Sequence, residues 1–232
     1  MGLALAAAVV CTGALAYWLL VTSEGVYLGR RVVIALYDRY AAMYDEIKGV
    51  MPHEDAHHLA LPLLESVRDC TDPLVLDVAT GTARLPLALL RQWEFAGKVI
   101  GLDLSAGMLS VARRRTLRQQ DRIGLVRQDA TILPFASRRF GAVTCLEAFE
   151  FLPDQRRALG EMVRVLKPGG MLLLTNRIGV DAWFLPGRSL TSARMEEILR
   201  ALGLVDVGTR RWQVHYDLVQ GVKPALGSEQ GL

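Results

Sequence analysis

The sequence predicts an α/β protein: a doubly wound, mostly parallel seven-stranded sheet with an antiparallel C-terminal hairpin, preceded by one transmembrane helix. Three observations carry this. Short apolar runs alternate with helical patterns from Leu74 to Thr175, the mark of βα units and of a parallel sheet covered on both faces. Beyond them, Leu204–Arg210 and Val214–Val219 read as two strands with a short link, which pair antiparallel. Ahead of them, Leu3 to Val21 contains no charge and is dominated by Leu, Ala and Val.

Taken in order, a helix over 3–21 is about 28 Å long at ~1.5 Å per residue, close to the hydrocarbon thickness of a bilayer. Tyr17 and Trp18 stand near one end, where interfacial aromatics are favoured. A membrane anchor is the leading reading. A cleaved signal peptide (Ala14-Leu15-Ala16 resembles a cleavage site, but a basic leader is missing) and a buried helix are the others. Arg30 and Arg31 follow the segment, and the positive-inside rule then places the main domain in the cytoplasm.

Val32–Lys48 patterns as an amphipathic helix, broken by Gly49 and Pro52, and His57–Val67 as a second helix. Strands follow at Leu74–Ala79, Lys98–Leu102, Ile123–Arg127, Ala142–Leu146 and Met171–Thr175. Helices lie between them at Leu85–Trp93, at Ala106–Leu117 with Ser105 as cap, and at Asp154–Val165. Lys167-Pro168-Gly169-Gly170 reads as a turn, and a helix near Ser192–Leu202 precedes the hairpin. The division this suggests is 1–23 anchor, 24–52 juxtamembrane linker and cap helix, and 53–232 main domain.

Composition narrows the function. The chain has 232 residues, about half of them apolar, and a formal charge of +3. That supports a sizeable core and gives no footprint for nucleic acid. Arg113, Arg114, Arg115 and Arg118 cluster at helical spacing and read as a solvated face. Cys11, Cys70 and Cys145 are odd in number and widely separated, which fits a reducing compartment.

The chemistry gathers at strand ends. Val75–Ala83 (Val-Leu-Asp-Val-Ala-Thr-Gly-Thr-Ala) is a buried strand running into a small-residue turn that opens a helix, so a ligand can approach the backbone closely. Asp77, Asp103 and Asp129 recur at successive strand ends, which share one edge of a parallel sheet. A carboxylate ending the second strand suits the two hydroxyls of a ribose. A dinucleotide fingerprint needs three spaced glycines, and this loop offers only Gly81.

At this point the residues resemble a family. Val75–Ala83, Gly101-Leu-Asp-Leu-Ser105 with Met108-Leu109, Gln128-Asp129-Ala130 with Leu133-Pro134-Phe135, and Leu166-Lys-Pro-Gly-Gly170 look like the successive motifs of class I S-adenosylmethionine (SAM)-dependent methyltransferases. Tyr37–Asp45 looks like the N-terminal element of the ubiquinone/menaquinone C-methyltransferase branch, which folds over the cofactor. The resemblance spans about residues 37 to 222. It implies a Rossmann-like methyltransferase fold, SAM as cofactor and a small, lipophilic acceptor. By it, Asp77, Ala79 and Gly81 would surround the methionine part of SAM, and Asp103 would bind the ribose. Leu104 and Met108 would sandwich the adenine, with Asp129 and Ala130 at its edge and Tyr37 and Tyr44 in the cap. The family usually has glycine where Ala83 sits, and often where Ala79 sits. Alanine fits there at negative φ, so tighter packing at that turn is expected.

Catalytic candidates are Glu147, which follows the fourth strand, and His53 or His57 from the N-terminal element; Glu150 reads as a solvated loop residue. His53-Glu54-Asp55-Ala56-His57 matches a zinc pattern by letter, but follows Pro52 at a helix start and has no third ligand, so no metal is expected. Trp183, Phe184 and Leu185 form an apolar loop: a substrate lid, a membrane-facing edge or ordinary packing. Two rival functions stay open, a membrane-tethered scaffold of the same fold without catalysis and a zinc hydrolase.

Overall fold

The computed structural model describes residues 2–49 and 52–225. One sheet organises them, with strand order β3-β2-β1-β4-β5-β7-β6. The strands are β1 Leu74–Val78, β2 Lys98–Asp103, β3 Ile123–Arg127, β4 Phe140–Cys145, β5 Leu166–Arg177, β6 Val205–Arg211 and β7 Tyr216–Val222. β1 to β5 pair in parallel, and β7 runs antiparallel to β5 and β6. The seven strands, their directions and the terminal hairpin are as the sequence predicts. Chain order reverses between β1 and β4, which opens a crevice above the carboxyl ends of β1, β2 and β4.

The helices are α1 Gly2–Tyr17, α2 Arg30–Tyr40, α3 Tyr44–Ile47, α4 Pro52–Asp55, α5 Leu61–Ser66, α6 Arg84–Leu90, α7 Ala106–Arg115, α8 Gln155–Val165, α9 Gly179–Trp183 and α10 Ser192–Ala201. Successive strand residues face opposite layers, so each strand feeds two cores. Leu76, Val143, Leu172 and Leu174 pack with Leu159, Met162 and Val165 of α8 and with Met195 and Leu199 of α10. Val75, Ala142 and Leu173 pack on the other face with Leu63 of α5 and with Leu85, Ala88 and Leu89 of α6. Ser105 caps α7 by accepting from the Met108 N–H, and Asp154 caps α8 from Arg157. Such caps are worth about 1 kcal/mol each.

The N-terminal segment departs from the simple reading. The helix expected over 32–48 is broken: α2 gives way to a 3-10 turn at Ala41–Met43 before α3. The bend brings Tyr37 and Tyr44 together, ring centroids 6.0 Å apart. The next helix begins at Pro52 rather than His57, because proline suits a first helical turn, and it contains a π-helical turn at Ala56–Ala60. The Lys167–Gly170 turn lies inside β5, where the register with β4 slips between Phe140 and Ala142.

The loop joining β1 to α6 overturns one expectation. Ala79 has φ 56° and Ala83 φ 65°, with Gly81 between them at φ 55°. The two alanines therefore sit in the left-handed region, not at negative φ. Steric crowding of Cβ there costs roughly 1–2 kcal/mol per residue. Thr80 helps impose the turn, since its carbonyl accepts from the Ala83 N–H and its own N–H donates to the Leu102 carbonyl.

This strain is measurable. Ala83→Gly should be neutral or stabilising by up to about 1 kcal/mol, since relief of strain exceeds the added freedom of the unfolded chain. Ala88→Gly, inside α6, should cost about 1 kcal/mol. Equal losses in thermal unfolding would show that Ala83 is unstrained.

Candidate active site

The crevice above β1, β2 and β4 holds a cavity whose floor is Ala79, Gly81, Asp103, Leu104, Met108, Asp129 and Ala130. Its far wall is Glu147, Ala148 and Phe151, and the N-terminal segment roofs it with Arg30, Val33, Ile34, Tyr37 and Tyr44.

Asp103 is the hinge of this floor. One carboxylate oxygen accepts from the Gly81 N–H at 2.8 Å and the other from the Ser105 N–H at 2.9 Å. The end of β2 thereby fixes the β1–α6 loop and the start of α7. Burial pushes the Asp103 carboxyl above its ordinary range, against those backbone N–H bonds. A Cβ built on Gly81 would meet nothing within 4 Å, so the loop faces open space.

Asp77 is expected to line the site, yet it lies one layer below it. It is buried, its carboxylate accepts from Thr80 Oγ1 at 2.7 Å and Thr144 Oγ1 at 2.6 Å, and it is not among the lining residues. Asp77 thus positions Thr80, and through it the strained loop. Burial pushes its carboxyl up to about 6.

Asp129 has its oxygens engaged. Oδ1 accepts from the Thr131 N–H and hydroxyl, and Oδ2 pairs with Arg30 at 2.5 Å. Burial works to raise this carboxyl, but the Thr131 and Arg30 bonds hold it below its usual range. The N-terminal segment is latched twice more. Asp38 accepts from Ser105 Oγ at 2.5 Å and from the Gly107 N–H at 2.8 Å. Gly107 is required there, since an added Cβ would stand 2.8 Å from Asp38 backbone. Asp45 accepts from Thr82 Oγ1 at 2.6 Å and pairs with Arg115. Arg115 is therefore a tie between α7 and the roof, not part of a solvated face.

Of the catalytic candidates whose side chains are described, Glu147 lines the cavity and His57 does not. The Glu147 backbone is left-handed at φ 50°, and its N–H donates to Thr175 Oγ1. Its carboxylate accepts from Arg84 at 2.7 Å, and Arg84 also forms a two-point pair with Asp55. Burial works against the Arg84 charge, but Asp55 and Glu147 more than offset it and keep the guanidinium protonated. His57 is exposed, packs edge-on against His58 and does not reach the cavity; the side chain of His53 lies outside the described residues. Among the described residues, no group of three or more His, Cys, Asp or Glu could hold a metal ion.

Glu150 corrects the sequence reading. It is buried rather than solvated, and its carboxylate accepts from the Tyr216 hydroxyl at 2.8 Å beside Arg177. Burial raises its carboxyl and Arg177 opposes the rise. Sequence reasoning also missed Arg30, Val33 and Ile34 as roof residues. Their only signal is an amphipathic pattern just after the apolar segment.

Strand order, loop and cleft together define the class: this is the fold of SAM-dependent methyltransferases. An S-adenosyl-L-methionine-dependent methyltransferase candidate from Methanococcus maripaludis superposes with TM-score 0.65 at 18% identity, over 81% of this chain and 93% of that one. Phosphoethanolamine N-methyltransferase 2 of Haemonchus contortus, solved with S-adenosyl-L-methionine, superposes with TM-score 0.59 at 19% identity, over 72% and 52%. More particularly, residues 75–170 match the family described as methyltransferase domain. Demethylmenaquinone methyltransferase of Lactiplantibacillus plantarum is 36% identical over 143 residues, 61% of this chain, and the chain spans 60% of that relative's length.

The buried carboxylate beneath the loop gives a pH test. The folded protein holds the Asp77 proton more tightly than the unfolded chain. Its stabilising contribution is thus full below about pH 4 and lost as pH rises through about 6. At pH 7 the ionised carboxylate costs on the order of 3 kcal/mol. Relative to Asp77→Asn, the wild type should lose stability between pH 4 and 6 in urea unfolding. Parallel pH profiles would refute the shift.

Proposed function

We propose that the chain is a membrane-anchored methyltransferase. It binds SAM in this cleft and passes the methyl group to a small lipophilic acceptor. Its domains divide as 1–23 anchor, 24–52 linker and cap, and 53–232 catalytic unit facing the cytoplasm. The observation that carries the reading is Asp103, a half-buried carboxylate at the cavity floor that already orders the loop and the helix start on either side of it. The fit of the cofactor rests on that donor-poor, acceptor-rich floor, on the open space over Gly81, and on the apolar flanks of Leu104 and Met108.

Each residue then has a task. Asp103 accepts from ribose hydroxyls. Leu104 and Met108 flank the adenine, with Asp129 and Ala130 at its edge. Ala79 and Gly81 bring backbone against the methionine part, and Asp77 holds that backbone in place through Thr80. Tyr37 and Tyr44 close the roof and keep water out. When bound, SAM supplies an electrophilic methyl on sulfur: the acceptor's electron pair makes the new bond as the carbon–sulfur pair returns to sulfur. Positioning then accounts for most of the rate. Glu147 is held by Arg84 and orients the acceptor rather than serving as a free base.

The acceptor class follows from two supports. The curated relative is by its name a methyltransferase of demethylmenaquinone, and Gly2–Thr22 is a helix long and apolar enough to cross a membrane, with a mean hydropathy of 2.1 and no part buried. Anchoring concentrates the enzyme where lipid-soluble substrates reside. A second reading, a scaffold without catalysis, draws on the Arg30–Asp129 pair and the strained alanines, which occupy and stiffen the site.

Calorimetry on the full chain in detergent separates the two. SAM and S-adenosylhomocysteine should bind. Asp103→Ala should weaken binding by about 1.5–3 kcal/mol, on the order of 10–100-fold. Absence of binding, or a variant that is folded and binds as well as the wild type, would overturn the proposal.

A further inference from the structure

Besides the helix itself, the domain exposes an apolar loop that nothing in the cleft uses. Val180 and Trp183 in α9 are 63% and 83% exposed, and the Phe184 ring beside them is 44% exposed. The same loop is firmly built. Leu185 is buried, and α9 is followed by the turn in which the Leu185 carbonyl accepts from the Arg188 N–H. Large apolar side chains offered to water on a rigid base mark a contact surface.

What covers it is indicated by its neighbour. The Trp18 indole N–H donates to the Phe184 carbonyl at 3.1 Å. Trp18 also stacks on Tyr27, centroids 5.0 Å apart at 21°, and the Tyr27 hydroxyl donates to the Pro186 carbonyl at 2.8 Å. The C-terminal end of the loop is thus pinned at Phe184 to Trp18 of the apolar helix and at Pro186 to Tyr27 just beyond it. Trp18 stands four residues before Thr22, the end of the apolar span, or about 6 Å along the axis. The height of Phe184 is therefore set by the helix, at the level where indole and phenol rings partition between acyl chains and headgroups. Tyr17, Leu20 and Val21 carry the exposed apolar surface along the helix towards the loop.

We propose that Val180, Trp183 and Phe184 form a second membrane contact, inserted in the lipid interface beside the helix. It rests on the reading of residues 2–22 as a membrane span. Two contacts, one spanning and one interfacial, fix the orientation of the domain where a single tether would let it swing. The roof helix α2 begins eight residues after Thr22 and lines the cavity. The oriented domain thus holds the cavity roof close to the bilayer surface, where a lipophilic acceptor can enter without crossing water.

The test is photocrosslinking of the full chain in vesicles of phosphatidylcholine and phosphatidylglycerol. p-Benzoylphenylalanine is placed singly at Trp183, at Leu5 within the helix, and at Trp93, an exposed residue past α6 at the opposite edge of the sheet. Lipid adducts at 183 and 5, several-fold above those at 93, are the expected result. Adducts at 5 but only the level of 93 at 183 would overturn the second contact and leave the anchor standing. No adducts at 5, with the chain failing to float with vesicles, would remove the anchor and this contact together. Protein–protein adducts at 183 in place of lipid would assign the surface to a second copy of the chain and overturn the proposal.

Discussion

The carboxylate of Asp103 is the point on which the functional end of the molecule turns. A parallel sheet delivers its strand ends to one edge, but it does not say how the connecting loops lie there. Asp103 does so by accepting from Gly81 on one side and Ser105 on the other. Asp77 works from below through Thr80, and Thr144 ties it to the neighbouring strand. Asp77 is buried and Asp103 half-buried, each at a cost, since removal from water disfavours their ionised forms. Several donors aimed at them offset part of that cost. The loop they hold carries left-handed alanines at positions 79 and 83. Strain of this kind persists only where the surroundings over-determine the backbone, and here it clusters at the candidate site.

The roof is the second organising feature. It is bonded to the cleft at three polar points: Arg30 to Asp129, Asp38 to the start of α7, and Asp45 to Thr82 and Arg115. Each point joins the N-terminal segment to an element of the cofactor floor. The same segment continues directly from the apolar helix. In the proposed anchored enzyme, the roof over the cleft and the membrane attachment therefore lie in one continuous stretch of about 40 residues. The Arg30–Asp129 pair is partly exposed, so its own contribution is small and the Asp38 and Asp45 bonds carry more of the closure.

Much of the sheet was legible because its cause is local. Short continuous apolar and β-branched runs mark the central strands, which are buried on both faces, and Ser105 marks the start of α7. The bulge within β5 was not, because a Lys-Pro-Gly-Gly run looks the same whether it precedes a strand or interrupts one. The conformation of Ala79 and Ala83 is not legible locally for a physical reason: alanine prefers negative φ, and only tertiary bonds through Thr80 and Asp77 override it. The family resemblance and its place near a strand end put Asp77 in the cleft, whereas Thr80 and Thr144 draw it beneath. Glu150 looked solvated because burial of a carboxylate depends on partners such as Tyr216, 66 residues away. Pairs like Arg30 with Asp129, 99 residues apart, leave no trace in local sequence.

The central claim is that this cleft moves a methyl group to a lipid-soluble acceptor. Its most direct measurement is incubation of the full chain with bacterial membranes and methyl-labelled SAM, followed by organic extraction. The account requires label in the lipid-soluble fraction, with S-adenosylhomocysteine formed in equal amount. Cofactor that binds the protein yet leaves all label in the aqueous phase would contradict it.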